Sequence, residues 1–378
     1  MNIYFDNAST TLVRNEAASA MLEAMTTEYG NPSSTHFMGR AASALLENAR
    51  KSVALAMGAG VNSIYFTSGG TEANNWAVLG MAQLRMRVGK HFITSAIEHD
   101  SVYETAKKLE SMDWQGTYLP PDENGRITKE AFANALREDT AFASVMLVNN
   151  ETGAVSPVDA FAAEIKKRGL KTLLHTDAVQ GFCKIPVSAR GLGADLISVS
   201  AHKLHGPKGV GALYIAPKLN MPQAQIGGSQ ERGIRPGTQP LPAIIGFGQA
   251  ASLAAQELDA SHKAVSELRR RAVSLLSDML PEALVLSGGD CPYLLSLSLP
   301  GHKSEVLMSF LETKGICVSK SAACKKGARS RVLEAMGLKN EIVDGAIRVS
   351  FSKYNTPQEV QYFVDCLKLA AETLFKAY

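Results

Sequence analysis

Long apolar runs are missing from this chain. No stretch reaches the ~18 residues needed to span a bilayer, and the opening MNIYFDNAST lacks the basic-then-apolar order of a secretory signal. Both absences point to a cytoplasmic protein with no membrane partner. Cysteine is scarce too. Five scattered residues (Cys183, Cys291, Cys317, Cys324 and Cys366), none in a C-x-x-C pair, exclude a disulfide framework and leave at least one thiol free. The eight histidines do not cluster beside them, so no metal centre is expected. Charge of one sign is not in excess: 39 Lys plus Arg face 36 Asp plus Glu, a net +3 that gives no general reason to bind nucleic acid. Repeats, low-complexity tracts and long linkers are also lacking.

What is present is an ordinary globular composition, 46% apolar and 20% charged, which excludes a disordered, collagen-like or coiled-coil chain. A length of 378 residues exceeds what one core usually organises. The expected division is a large domain over 15–250 and a smaller one formed by 1–14 with 251–378. Within the first, β-rich runs alternate with helical patterns: SIYFT (63–67), HFITSA (91–96), ASVMLV (143–148), LKTLLH (170–175), DLISVS (195–200) and GALYI (211–215). That alternation predicts an α/β fold with a mainly parallel sheet covered on both faces. A helical region over roughly Pro240 to Leu280 comes next. Beyond it LVLSG, LLSLSL, a helix near Ser304 to Lys314, VSFS (349–352) and a helix from Thr356 read as a smaller α+β unit.

In open α/β sheets ligands sit off the carboxyl ends of the strands, and there the chain is rich in chemistry. Gly69, Gly70 and Thr71 join a strand to a helix whose N-terminus suits a phosphate group, or form a plain capped turn with Thr71 as N-cap. No Walker pattern and no G-x-G-x-x-G after a strand is present, which argues against nucleotide binding. Asp177 and Gln180 lie just past a strand buried on both faces, where a carboxylate needs a cationic partner such as a protonated ring nitrogen. Lys203 comes after Ser200 and His202 on the next strand's rim; it is either a surface lysine or a desolvated amine fit to form a Schiff base. His99 could stack on a ring, move protons, or merely bond within its loop. An anion cradle, a ring-nitrogen carboxylate, a stacking histidine and an imine-forming lysine together describe a pyridoxal 5′-phosphate (PLP) site.

The blocks YFDNASTT (4–11), GNPSSTH (30–36), FTSGGTEANN (66–75), IEHDS (97–101), VNNETGAV (148–155), HTDAVQ (175–180), SVSAHKLHGPKGVG (198–211), QERGIRPGT (230–238), SAAC (321–324) and IRVSFS (347–352) run almost end to end. In them the chain resembles the class V aminotransferase family of fold-type I PLP-dependent transferases, and most closely its NifS/IscS-type cysteine desulfurases. The resemblance implies a seven-stranded sheet in the large domain and a role for each matching residue. Lys203 would bond to the cofactor aldehyde, and His99 would stack on its ring and take part in proton transfer. Asp177 would pair with the ring nitrogen, while Gln180 and Asn150 contact ring substituents. Gly70, Thr71, Ser200 and His202 would hold the phosphate. Thr238 would reach the phosphate from a partner subunit, implying a homodimer. Arg348 and Asn31 would grip the substrate carboxylate, for which the planar guanidinium is apt.

Cys324 sits in SKSAACKKGARSR, flanked by Lys320, Lys325, Lys326, Arg329 and Arg331. Nearby cations raise the thiolate fraction of a thiol at neutral pH, although a loop cysteine beside a solvated basic run reads the same way. The resemblance makes Cys324 the residue that takes sulfur from L-cysteine as a persulfide and passes it to an acceptor protein, for iron–sulfur cluster assembly or thiolation. A selenocysteine lyase, a small amino-acid aminotransferase and a non-catalytic sulfur-relay scaffold remain as alternatives. The loop is shorter and more basic than in members dedicated to iron–sulfur assembly, and the usual Ser-Gly-Ser-Ala-Cys is altered; both bear on the choice of acceptor. Cys317 reads as a buried strand residue, and Cys183, Cys291 and Cys366 as packing.

Overall fold

The computed structural model describes residues 2–320 and 329–376. Cys324 and its neighbours from 321 to 328 lie outside the described residues. Strand β1 (Ile3–Tyr4) and helices α1 (Asn15–Thr26) and α2 (Phe37–Ala56) precede the main sheet. That sheet contains β2 (Ile64–Thr67), β3 (His91–Ser95), β4 (Gln115–Leu119), β5 (Thr140–Ser144), β6 (Leu173–Asp177), β7 (Leu196–Ser200) and β8 (Gly211–Ile215), in the spatial order β2-β8-β7-β6-β5-β3-β4. β8 runs antiparallel to both its neighbours, and the remaining pairs are parallel. Five central strands, β3, β5, β6, β7 and β8, are buried at every position, as expected where helices cover both faces. Helices α3 (Gly70–Arg85) and α4 (Asp100–Glu110) leave the ends of β2 and β3. Where β8 passes the start of α3, Gly211 is required: a Cβ there would stand 2.8 Å from the Cα of Gly69.

A second, antiparallel sheet contains β9 (Leu284–Val285), β10 (Leu294–Ser298), β12 (Ser319–Lys320) and β13 (Ala346–Ser350) in the order β12-β13-β10-β9. β11 (Ile316–Cys317) pairs in parallel with β1, so the N-terminal segment joins the C-terminal region. The helix Pro357–Thr373 covers this region and opens with a capping box: Thr356 accepts from Glu359 N–H while the Glu359 side chain takes the Thr356 N–H.

Several boundaries differ from expectation. The strand read as 143–148 begins at Thr140 and its regular ladder ends at Ser144, though Val145 and Leu147 still donate to the carbonyls of His175 and Asp177. The strand read as 170–175 runs over Leu173–Asp177, so Asp177 is its last residue and not a loop residue. β4 is an addition to the expected strands: it is an edge strand, mostly half-exposed, and QGTYL lacks the apolar run of its buried neighbours. The helical region 240–280 is two helices, Leu241–Gln256 and Leu258–Met279, divided at Glu257, whose carboxylate binds Arg14 and Lys353. Cys317 is exposed rather than buried. Alternation along two-residue strands turns Ile3 and Ile316 inward and leaves Tyr4 and Cys317 outward. No helix among the described residues is long and apolar enough to cross a membrane.

Candidate active site

A cavity of about 520 Å³ opens at the carboxyl ends of β3, β6 and β7, between the main sheet and β13. Lys203 ends the short helical turn after β7, and its Nζ donates to the carbonyls of Ala8 (2.6 Å) and Ser9 (2.7 Å). Burial, then the positive charges of Lys184 and Arg348, pull its amine down to about 7, against the opposing pull of Asp177 and Asp6. A lysine in that state is substantially neutral at physiological pH and nucleophilic.

Asp177 is 4% exposed at the end of β6. Its Oδ2 accepts from Asn74 Nδ2 at 2.6 Å and its Oδ1 from the Val179 N–H at 2.9 Å, yet among the described residues no cation is bonded to it. Asn74, on α3, spends its other N–H on Ser101 Oγ (2.8 Å), and Ser101 Oγ lies 2.8 Å from His99 Nδ1. The chain Asp177–Asn74–Ser101–His99 ties the carboxylate to the histidine. His99 caps α4, with Nδ1 also accepting the Ser101 N–H at 3.1 Å, so the proton of the neutral ring belongs on Nε2.

The N-terminus of α3, with Gly70 and Thr71, opens into the same cavity opposite Ser200. A side chain at Gly70 would crowd Val179 at 2.9 Å. Ser200 Oγ is buried and has no hydrogen-bond partner among the described residues, and helix N-termini present unpaired N–H groups. His202 is pushed down to about 4 by burial, then by Lys203, Lys208 and Lys184; its Nδ1 lies 3.2 Å from Thr10 Oγ1.

Arg348 projects from the middle of β13 and is 2% exposed. It donates to the Asn150 carbonyl (2.9 Å), Asp6 Oδ1 (3.0 Å) and Ser9 Oγ (2.8 Å), while its Nε is buried with no partner among the described residues. Gln180 lines the cavity with its carboxamide bonded to Ala8 O and Lys184 Nζ.

One residue expected at this cavity, Asn31, is not among those that line it, and Thr238, expected to serve a partner's pocket, does not line it either. Asn31 is exposed and spends its side-chain oxygen on the Ser33 N–H at 2.9 Å, a local turn that holds it away. Thr238 is exposed on the segment before the helix Leu241–Gln256. Sequence reasoning also passes over residues the fold makes prominent. Glu98 and Glu151 line the cavity, and burial raises them to about 8 and about 7, against hydrogen bonds from Ser95 and Met146 N–H for the first and from Ser330 for the second. Their one signal in the chain is position, one beside His99 and the other beside Asn150. The described cations that flank Cys324 in the sequence are engaged: Lys320 with Glu305, Arg329 with Asp344, and Arg331 with Asp100, the Arg331 guanidinium also stacking 3.7 Å over the Tyr103 ring.

A desolvated lysine, a buried carboxylate with no cation bonded to it among the described residues and a helix N-terminus facing the cavity, all at the carboxyl edge of a mainly parallel sheet, are the marks of a fold-type I transferase. The aminotransferase class-V family profile matches residues 3–363. The cysteine desulfurase IscS of Methanosarcina thermophila is 40% identical over 363 residues, covering 95% of this chain and 89% of the relative. A solved NifS-like protein superposes with a TM-score of 0.94 at 38% identity, covering 99% of this chain and 100% of its own. A second structure, SspA in complex with cysteine, superposes at 0.82 with 30% identity over 94% of this chain and 100% of that one. This chain therefore belongs to the class-V aminotransferase family, among its IscS- and NifS-like cysteine desulfurases.

Proposed function

We propose that this protein is a PLP-dependent cysteine desulfurase, which converts L-cysteine to L-alanine and leaves the sulfur on Cys324 as a persulfide. The observation that carries the reading is the pairing, in one cavity, of the desolvated Lys203 amine with an Asp177 carboxylate that has no cation bonded to it among the described residues. The pocket's unmet demands suit the cofactor. Among the described residues Asp177 lacks a positive partner, which a protonated ring nitrogen would supply, and Ser200 Oγ, beside the N-terminus of α3, lacks a hydrogen-bond partner, which a phosphate would supply. PLP, when bound, supplies an electron sink for charge developing at the substrate α-carbon.

Lys203 would hold the cofactor and, once released, take the α-proton at Nζ. Asp177 would keep the ring nitrogen protonated, with Asn74 fixing the carboxylate. His99 would cover the ring face and exchange protons at Nε2. Gly70, Thr71, Ser200 and His202 would hold the phosphate, and Asn150 and Gln180 the ring substituents. Arg348 would bind the substrate carboxylate, its Nε offering an unpaired donor. Thr238, exposed, would reach the pocket of a partner subunit in a homodimer. The Cys324 thiolate would attack the substrate sulfur; the S–S bond forms as the Cβ–S bond breaks with its electron pair staying on the carbon side, so the sulfur pair is oxidised by two electrons, Cβ is reduced by two, and protonation of the carbon gives alanine. Support for cysteine as substrate comes from the identity to IscS relatives and from the SspA relative solved with cysteine. The persulfide would then pass to an acceptor protein, an iron–sulfur scaffold or a thiolation enzyme.

Borohydride reduction of the yellow holoprotein should fix the cofactor to the Lys203 peptide, and Lys203→Ala should abolish this. Cys324→Ala should lose sulfide and alanine formation from L-cysteine at least a hundredfold while keeping the pigment. A colourless protein that PLP cannot reconstitute, or undiminished sulfur release by Cys324→Ala, refutes the reading; keto-acid formation would make it an aminotransferase.

A further inference from the structure

Behind the reactive amine lies a second lysine that the reaction above does not use. Lys184 is 6% exposed, four residues past Gln180 in the tight turns after β6. Among the described residues its hydrogen-bond partner is Gln180 Oε1, at 2.9 Å, and its ammonium faces the Tyr293 ring at 5.8 Å, with no carboxylate paired to it. A buried ammonium without a counter-charge is unfavourable, and its hydrogen bonds show what the position gains in return.

An ammonium can only donate, so the Gln180 carboxamide must turn its oxygen to Lys184. Its NH2 end then points the other way, and Nε2 donates to the Ala8 carbonyl at 2.8 Å. The same carbonyl receives the Lys203 amine at 2.6 Å. Lys184, Gln180, Ala8 O and Lys203 thus form one connected row, and the two lysines also line a small common cavity of about 40 Å³. We propose that Lys184 is a positioning residue for the reactive amine: it locks the Gln180 carboxamide in one orientation and sets a fixed positive charge behind Lys203. The inference rests on the reading of Lys203 as the cofactor-bearing lysine.

Charge and geometry act together. The groups facing Lys203 are Lys184, Arg348, Asp177 and Asp6, with His202 adjoining it in the chain. Those facing Lys184 are Cys291 and Arg348, with Cys183, Tyr293, His205, Arg14, Glu257 and Lys353 around the shared cavity. Burial brings Lys184 down only to about 8, so it is mostly charged at pH 7, where a neighbouring like charge disfavours a proton on Lys203.

The test uses the protein freed of cofactor. Reductive methylation across pH 5–10, followed by mass spectrometry of the Lys203 peptide, reads the pH at which that amine becomes reactive. Lys184→Met should raise the midpoint by about one pH unit, a tenfold gain in proton affinity. Lys184→Arg, which keeps charge and donor, should restore the wild-type midpoint. If the Met variant does not fold, Lys184→Gln, uncharged but still able to donate to Gln180, gives the same comparison and should show most of the rise. An unmoved midpoint in the uncharged variants, or an equal rise in Lys184→Arg, overturns the proposal. Borohydride fixation of PLP on the wild-type Lys203 peptide decides the underlying reading separately, since the methylation midpoint needs no cofactor.

Discussion

Arg348 offers the sharpest quantitative test. In the free protein its guanidinium is engaged at both Nη groups, with Asn150 O, Asp6 and Ser9, and keeps only Nε in reserve among the described contacts. A substrate carboxylate bound by this fork gains charge-assisted hydrogen bonds in a water-poor pocket, together worth about 2–4 kcal/mol, or roughly 30- to 1000-fold in KM. Arg348→Met fills the same space without donors, so KM for L-cysteine should rise by that factor while kcat falls less. Arg348→Lys keeps the charge but loses the planar fork, and should fall between, about 10- to 30-fold. Cysteamine, which has no carboxylate, is the internal control: the preference for L-cysteine over cysteamine should collapse in Arg348→Met. Stability should suffer modestly, by about 1–2 kcal/mol, because the Asp6 side chain left behind is 22% exposed and can turn to water. Alanine release from L-cysteine and sulfide release from both amines, with pigment and melting temperature as controls, make the comparison. A KM within about threefold of wild type in a folded, pigmented Arg348→Met protein would show that the carboxylate binds elsewhere.

Further outcomes come from buried charge. Arg50 and Glu231 form a buried two-point pair (2.7 and 2.9 Å), and Glu231 also takes the Phe66 N–H, clamping the segment that carries Thr238 to β2. Arg50→Met should cost about 3–5 kcal/mol in urea unfolding, and adding Glu231→Gln should recover at least about 2 of it; no recovery would sink the clamp. His175, held between Ser144 Oγ and Ser198 Oγ, is pushed by burial to about 3, below the 6.5 of an ordinary histidine. Its contribution is complete above pH 6.5 and disappears as the pH falls toward 3, so His175→Gln should move the acid-unfolding midpoint down by about half a unit or more. Glu98 and Glu151 act in the opposite sense: being raised, they stabilise fully below about 4.5 and lose that contribution as pH climbs through 7 and 8. Circular dichroism across pH reads both limbs.

Much of the site is legible in the chain because strand ends are. Burial on both faces favours runs rich in apolar and β-branched residues in strands such as β3, β6, β7 and β8, and the residues at or just past the ends of these strands lie at the sheet's edge; that places His99, Asp177 and Lys203 on one rim. β4 escapes because an exposed edge strand carries no such run. That Asn31 stands off the cavity with its side chain closing a local turn is not legible either, because a motif records which residues are present and not which way a turn directs them. Glu98, Asn74 and Ser101 are passed over because nothing in their own spacing says that a carboxylate will be buried or that an amide will bridge β6 and α4.

By itself the sequence determined the class of fold, the residue types at each strand end and the family to which they belong, since periodicity and local chemistry are written residue by residue. Only the tertiary structure decided protonation and partnership. The Lys203 amine is near neutrality because burial strips it of water while Lys184 and Arg348 reach it from separate segments, as do the carbonyls of Ala8 and Ser9. Desolvation and Coulomb interaction depend on distance through space, and no reading along the chain supplies that distance.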